Sequence, residues 1–248
     1  MMGQNKGFRK EIFFIKKFNE KYFHQFNDCD KKFLLDIKFE NYQNQYFVAS
    51  KPQAAREKTD VIISSSIGHK VNLSIKSGKN NSVHQEDINK FCKFLIDSGF
   101  DNQEIKNMLF FHWSDNSLDN SGEFRYGATQ FRKKNDVSFA KLIHSFSRIE
   151  QAVLKRIFLG ENTKYTPNYL VYMAENLKIS QWHMDDVIKF HLNLKDDKHI
   201  VGNLGFQAWN AVLNRNIKTE PRRNSIQFKW TKISDDMESY FESKSRYL

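Results

Sequence analysis

Apolar residues recur at helical spacing over residues 8–25, where Ile12, Ile15, Phe18 and Tyr22 share one side and Lys and Asn fill the other. Glu11 stands four residues before Ile15, which places it on the inward face at the first turn. From about Tyr46 the period shortens to that of strands. Val61 to Ile63 forms one expected strand. Lys70 to Lys76 forms another, in which Val71, Leu73 and Ile75 alternate with Asn72, Ser74 and Lys76. Helical spacing returns over 84–98, with Ile88, Phe91, Cys92, Leu95 and Ile96 on one stripe and Gly99 as the stop. A long helix is predicted over 137–159, carrying Phe139, Leu142, Ile143, Phe146, Ile149, Val153 and Ile157 up to Gly160. A short helix is expected after Ser180. In the last third Leu204, Phe206, Ala208, Asn210 and Val212 alternate with Gln207, Trp209 and Leu213, and Ile226, Phe228 and Trp230 alternate with Gln227 and Lys229. Joined by NRNIKTEPRRN, these two segments predict a long basic hairpin.

The order of elements defines an α/β protein: a single domain whose mixed, mostly antiparallel sheet is flanked by helices. Along it we expect a catalytic core over 8–110, a helical segment over 123–200 and the hairpin over 203–231. A length of 248 residues suits one sizeable domain or two small ones. The breaks fall at SDNSLDNSG (Ser114 to Gly122) and at Gly160 to Pro167, both read as loops. The apolar patch Ile12 to Ile15 is cut short by Lys16 and Lys17, so neither a signal peptide nor a membrane anchor is expected. Cys29 and Cys92 are too few for a disulfide framework, which favours a reducing cytoplasm.

Charge changes the picture next. Lys and Arg number 39 against 29 Asp and Glu, a formal net charge of +10, which favours polyanionic partners with nucleic acid first. A+T-rich coding DNA produces the same excess of Lys, Asn, Ile and Phe, so charge alone does not decide. No HExxH, GxGxxG or Walker loop occurs, which argues against a zinc hydrolase and a nucleotide-driven motor.

The informative stretch is KTDVIISSSIGHKVNLSIKSGKNNSVHQE, Lys58 to Glu86. Asp60 opens the first strand, and Ser74 and Lys76 lie two apart on the second, hence on one face. A hairpin brings the acid beside that pair. An acid, a hydroxyl and a lysine at a strand end suit metal-assisted phosphodiester hydrolysis. Asp60 would hold Mg²⁺ with the Ile75 carbonyl and waters, and Lys76 would position the attacking water and offset phosphate charge. Glu11 would hold a water in the outer shell. In the C-terminal turn Asn214, Arg215, Lys218, Arg222 and Arg223 cluster; Arg reads guanine in a bidentate way, whereas Lys218 and Arg222 suit phosphates.

This arrangement resembles the PD-(D/E)xK nucleases, and within them the small type II restriction endonucleases of the MspI kind. The resemblance assigns the catalytic roles to Glu11, Asp60, Ser74 and Lys76. It implies that Gln85, with His84 and Asn81 beside it in NNSVHQE, contacts DNA at the recognition site. It places Asn214, Arg215 and Lys218 at the turn that enters the major groove, ahead of the strand SIQFKW. It further implies double-stranded DNA as substrate, a cognate DNA methyltransferase as partner, and a monomer that nicks each strand in turn. One position departs from the pattern: Ser74 stands where these enzymes carry an amide or a carboxylate. The competing expectations are a DNA-binding protein with a decayed nuclease site and a nonspecific or repair nuclease.

Overall fold

The computed structural model describes residues 6–40, 43–53, 57–78, 81–119, 121–122, 126–161, 163–174, 178–194, 199–208 and 224–245. The chain begins with α1 (Lys6–Phe18), β1 (Lys21–Tyr22), α2 (Asp28–Asp36), β2 (Tyr46–Ser50), β3 (Val61–Ser65), β4 (Lys70–Ser77) and β5 (Asn81–Asp87). The helices α3 (Ile88–Asp97), α4 (Asn102–Trp113), α5 (Ala128–Lys134), α6 (Asp136–Arg148) and α7 (Glu150–Leu159) follow. Then come β6 (Tyr169–Met173), β7 (Ile179–His183), α8 (Met184–Asn193), β8 (Gly205–Ala208), β9 (Ser225–Trp230) and α9 (Ile233–Ser245). Two compact units divide the chain. The first holds Met1–Asn81, Phe158–Val187 and Lys232–Leu248; the second holds Ser82–Ile157 and Ile188–Thr231.

In the first unit six strands run in the order β1-β2-β3-β4-β6-β7. Only β4 and β6 are parallel, and the other pairs are antiparallel, so the sheet is mixed and mostly antiparallel as the pattern predicts. One face carries Ala49, Val61, Ile63, Val71, Leu73, Ile75 and Val171 into a core with Phe14 and Phe18 of α1 and Phe33 and Leu34 of α2. Each Val, Leu, Ile and Phe among them, fully buried, stabilises the fold by roughly 1.5–3 kcal/mol. The opposite face of β4 is covered too, with Asn72 and Ser74 both buried. Asn72 is buried with its N–H on Asn168 Oδ1 at 2.8 Å and its Nδ2 on the Thr166 carbonyl at 3.0 Å. These bonds join β4 to the approach of β6.

The second unit has a three-stranded sheet in the order β5-β9-β8. Its aromatic core sets Phe206 on Phe228 at 4.6 Å between ring centroids, with Phe91 and Phe146 against them. The predicted hairpin strands form: β8 and β9 pair antiparallel with Phe206 opposite Phe228 and Ala208 opposite Ile226. The rest of the first predicted strand, 209–213, and the connection from 214 to 223 lie outside the described residues. Helix α3 ends where the sequence places its stop. Gly99 takes φ of 101°, and Gly99 and Phe100 return N–H bonds to Ile96 and Leu95, each 2.9 Å.

Several boundaries differ from the periodic reading. The first helix stops at Phe18 because the Asn19 side chain is taken by Ala49 N–H at 3.0 Å and Glu20 turns to φ of 56°. Tyr22 therefore belongs to β1 and is exposed. Residues 84–87 extend as strand, and Asp87 caps α3 by accepting from Asn89 N and Lys90 N. The long helix over 137–159 is two helices broken at Ile149, whose φ is −124°. Glu150, first residue of α7, accepts the Gly202 N–H at 2.8 Å, a contact that no local pattern announces. After Ser180 the chain stays extended to His183 before α8 begins.

Candidate active site

Strand register builds the corner that the sequence marks. Val61 pairs with Leu73 and Ile62 with Asn72, so β3 ends opposite the middle of β4. Asp60, just before β3, donates its N–H to the Leu73 carbonyl at 2.8 Å. Its neighbour Thr59 is buried and donates its hydroxyl to the Tyr165 carbonyl. Beyond Leu73 the β3-side edge of β4 has no further partner strand among the described residues. The Asp60 carboxylate takes the place of the missing ladder: Oδ2 accepts the Ile75 N–H at 2.6 Å. Because the N–H and C=O of one strand residue leave by the same edge, the Ile75 carbonyl opens on this side as well.

Ser74 and Lys76 converge on the same oxygen. Ser74 is 4% exposed and donates its hydroxyl to Asp60 Oδ2 at 3.2 Å. Lys76 Nζ lies 3.6 Å from Asp60 Oδ2 and donates to the Ile75 carbonyl at 3.4 Å. Both charged side chains are about four-fifths covered, at 18% and 22% exposure. Their opposite charges offset the desolvation that each would otherwise suffer. On the partner strand Tyr172 faces Lys76, and its hydroxyl donates to the Gly78 carbonyl at 3.2 Å, fixing the turn after β4.

The donor set is spare. Oδ2 of Asp60 is occupied by the Ile75 N–H, the Ser74 hydroxyl and the Lys76 ammonium, and Oδ1 takes part in none of these bonds. Among the described residues no three His, Cys, Asp or Glu side chains gather into a cluster. One free carboxylate oxygen and one backbone carbonyl fit a hard divalent cation whose remaining sites are water.

Glu11 sits apart from this group. Its Oε2 accepts from Lys51 Nζ at 2.7 Å, and Lys51 also lies over the Phe8 ring at 4.1 Å. No bond joins Glu11 to Asp60 or Lys76. Asn81 uses both ends of its amide within the turn, accepting from Ser77 N at 3.2 Å and donating to the Gly78 carbonyl at 2.7 Å.

The other two residues expected to meet DNA lie in the second unit, on β5. His84 is 8% exposed and holds Nε2 on Glu86 Oε1 at 2.9 Å; Gln85 points the other way and is exposed. Arg156 of α7 grips Glu86 in a bidentate pair at 2.8 and 2.7 Å and stacks on Phe94 at 4.5 Å. Burial alone would raise the Glu86 carboxyl. The hydrogen bonds and charges of His84 and Arg156 outweigh it and hold the group at about 2. Arg156 carried no sequence signal, because its partner is 70 residues away in the chain. Of the neighbouring acids, Asp87 caps α3 through Oδ1 and Glu86 is engaged by Arg156 and His84. Asn214, Arg215, Lys218, Arg222 and Arg223 lie outside the described residues.

A central mixed sheet with an acid, a hydroxyl and a lysine at the open end of its middle strands gives the chain a restriction-endonuclease-like fold. Among solved structures it is similar to the crystal structure of the restriction endonuclease MspI in complex with its cognate DNA. The TM-score is 0.61 at 16% identity, over 90% of this chain and 88% of that one. No family model matches the chain, and no curated protein matches it. Among the described residues no helix is long and apolar enough to cross a membrane.

Proposed function

We propose that the chain is a type II restriction endonuclease, hydrolysing phosphodiester bonds at a short recognition sequence in double-stranded DNA with Mg²⁺. The observation that carries this reading is the meeting of Asp60, Ser74 and Lys76 where β4 outruns β3. Its fold likeness to an enzyme solved with DNA supports it further.

Asp60 Oδ1 and the Ile75 carbonyl would hold the cation, which when bound polarises a phosphoryl oxygen and lowers the pKa of a coordinated water. Lys76 holds the attacking water and offsets the charge that builds on the phosphate. Ser74 keeps the Asp60 carboxylate in register by its hydroxyl, an action that needs no negative charge of its own. Glu11 orders an outer-shell water once Lys51 is drawn away, as the approach of a polyanion favours. Gln85, Asn214 and Arg215 read the bases, Lys218, Arg222 and Arg223 hold the backbone, and His84 fixes the strand that presents Gln85. This reading places the enzyme in the cytoplasm, as a monomer, beside a methyltransferase that protects host DNA.

Ser74 also supports a second reading, a DNA-binding protein that has lost its chemistry. Incubation with unmethylated phage DNA, with and without Mg²⁺, and sequencing of the fragment ends separates these. Discrete Mg²⁺-dependent fragments that share a short motif are the expected outcome. A smear makes it a nonspecific nuclease; intact DNA with a retarded band on a low-salt gel makes it a binding protein.

A further inference from the structure

Helix α4 ends at Trp113, and Ser114 turns the chain into the left-handed region at φ of 52°. The sequence that follows, SDNSLDNSG, sets oxygen-bearing side chains at every second position: Asp115, Ser117, Asp119 and Ser121. Such spacing is how a loop points successive oxygens at one hard cation. Spacing alone is common in solvated turns. The burial of the first acid is not.

Asp115 is 5% exposed, and its Oδ2 is buried with no hydrogen-bond partner. Its Oδ1 accepts from Ser117 N at 2.9 Å and from the Ser117 hydroxyl at 2.7 Å, so the carboxylate is turned into the loop. Gly122 closes over it: a Cβ there would overlap the Asp115 carbonyl oxygen and fall 2.8 Å from its Cβ and Cγ. The adjacent Ser114 hydroxyl oxygen is likewise buried and without a partner. The second acid follows closely. Ser121 N donates to Asp119 Oδ1 and to Ser117 Oγ, each at 3.1 Å, which ties Asp119 to the hydroxyl that serves Asp115. Neither acid has an ion-pair partner among the described residues. Lys134, a nearby base in the sequence, lies over the Tyr126 ring at 4.1 Å.

A buried carboxylate oxygen that lacks both a donor and a counter-charge is strongly unfavourable. A cation supplies what is missing. We propose that this loop of the second unit is a Ca²⁺ site, with Asp115 Oδ2, an Asp119 carboxylate oxygen and Ser114 Oγ as side-chain ligands and water completing the shell. The all-oxygen, irregular set suits Ca²⁺, which accepts six to eight ligands in flexible geometry, better than Mg²⁺, which demands a near-ideal octahedron. The inference stands apart from the nuclease reading, since none of these residues is assigned to cleavage.

The test is Tb³⁺ luminescence of the full chain, sensitised through Trp113 and Tyr126, with Ca²⁺ as competitor. Asp60→Asn is included to remove the other candidate cation ligand. Asp60→Asn should bind one Tb³⁺ that Ca²⁺ displaces, and wild type should give the same Trp113- and Tyr126-sensitised signal beside any cation held at Asp60. Asp115→Asn and Asp119→Asn should weaken it by at least about tenfold, the scale on which even outer-shell changes act. Asp119 is fully exposed, so Asp119→Asn keeps the fold if Asp115→Asn does not. Ca²⁺ should raise the melting temperature of wild type and Asp60→Asn but not of Asp119→Asn. The proposal is overturned by an absence of Ca²⁺-displaceable signal in wild type, by an undiminished signal in Asp119→Asn, or by a signal lost only in Asp60→Asn. The first of these would mean that a buried water satisfies Asp115.

Discussion

Asp60 does structural work as well as the chemistry proposed for it, and the two are separable by substitution. Its Oδ2 satisfies an Ile75 N–H that would otherwise be an open strand donor. Asp60→Asn keeps an oxygen for that bond and removes the charge, whereas Asp60→Ala removes both. Asp60→Asn is therefore expected to fold like wild type and to lose DNA cleavage by about 10²-fold or more, with Lys76→Met losing a comparable amount. Ser74→Ala should cost far less. It deletes one neutral-donor hydrogen bond to Asp60, worth about 1 kcal/mol, or roughly fivefold in rate. Single-turnover cleavage of a labelled duplex at saturating enzyme measures all three. A Ser74→Ala loss as deep as that of Asp60→Asn would mean that the hydroxyl is a ligand or a proton donor rather than a brace.

At the scale of elements, the second unit carries two groups that fight acid. His191 lies among Phe190, Trp230 and Gly202, where burial outweighs its hydrogen bond with Asn203 and holds the imidazole down at about 3. Below pH 6.5 the unfolded chain takes a proton that the folded chain refuses, so stability falls from pH 6.5 toward 3 by up to about 1.4 kcal/mol per unit. Glu86 acts lower down. With its carboxyl held at about 2 against an ordinary 4.5, its contribution is whole above pH 4.5 and drains away as pH falls toward 2. Urea midpoints measured from pH 7 to 3 should decline below pH 6.5 and more steeply below 4.5, with His191→Gln removing the decline above 4.5 and Glu86→Gln only the added steepness below it. Equal slopes in wild type and His191→Gln between pH 6.5 and 4.5 would show that another group controls acid lability.

The same scale shows what the sequence disclosed. Alternation of Val71, Leu73 and Ile75 placed β4, and spacing by two then put Ser74 and Lys76 on one face. That face meets Asp60 because the register pairs Val61 with Leu73. The sequence holds further local signals: Asp101 and Glu104 form a capping box at the start of α4, and Asp87 caps α3. The apolar run Tyr169 to Met173, buried along its whole length as β6, offers no alternation to mark it as strand. The break at Ile149 and the grip of Arg156 on Glu86 are tertiary, made with residues 52 and 70 positions away, and no local pattern encodes them.

For the whole molecule the governing quantity is the net charge of +10. If the chain holds a duplex by its phosphates, each contact releases a condensed counterion, and the logarithm of the binding constant falls by about 0.9 per contact for each unit of log salt. A protein with six to ten such contacts loses roughly 10³–10⁵ in affinity between 50 and 200 mM salt. Fluorescence anisotropy of a labelled duplex, titrated without Mg²⁺ at several KCl concentrations, reads this slope with cleavage switched off. Wild type and Asp60→Asn should share one steep slope, since that substitution leaves every basic side chain in place. Replacing Arg222 and Arg223 with Ala should lower the slope by about 1 to 2 and weaken all sequences alike, whereas Arg215→Ala should erode the preference for one sequence. A wild-type slope near zero would separate the basic charge from DNA altogether. It would return the excess of Lys to base composition, leaving the Asp60–Lys76 corner to act on some smaller phosphodiester.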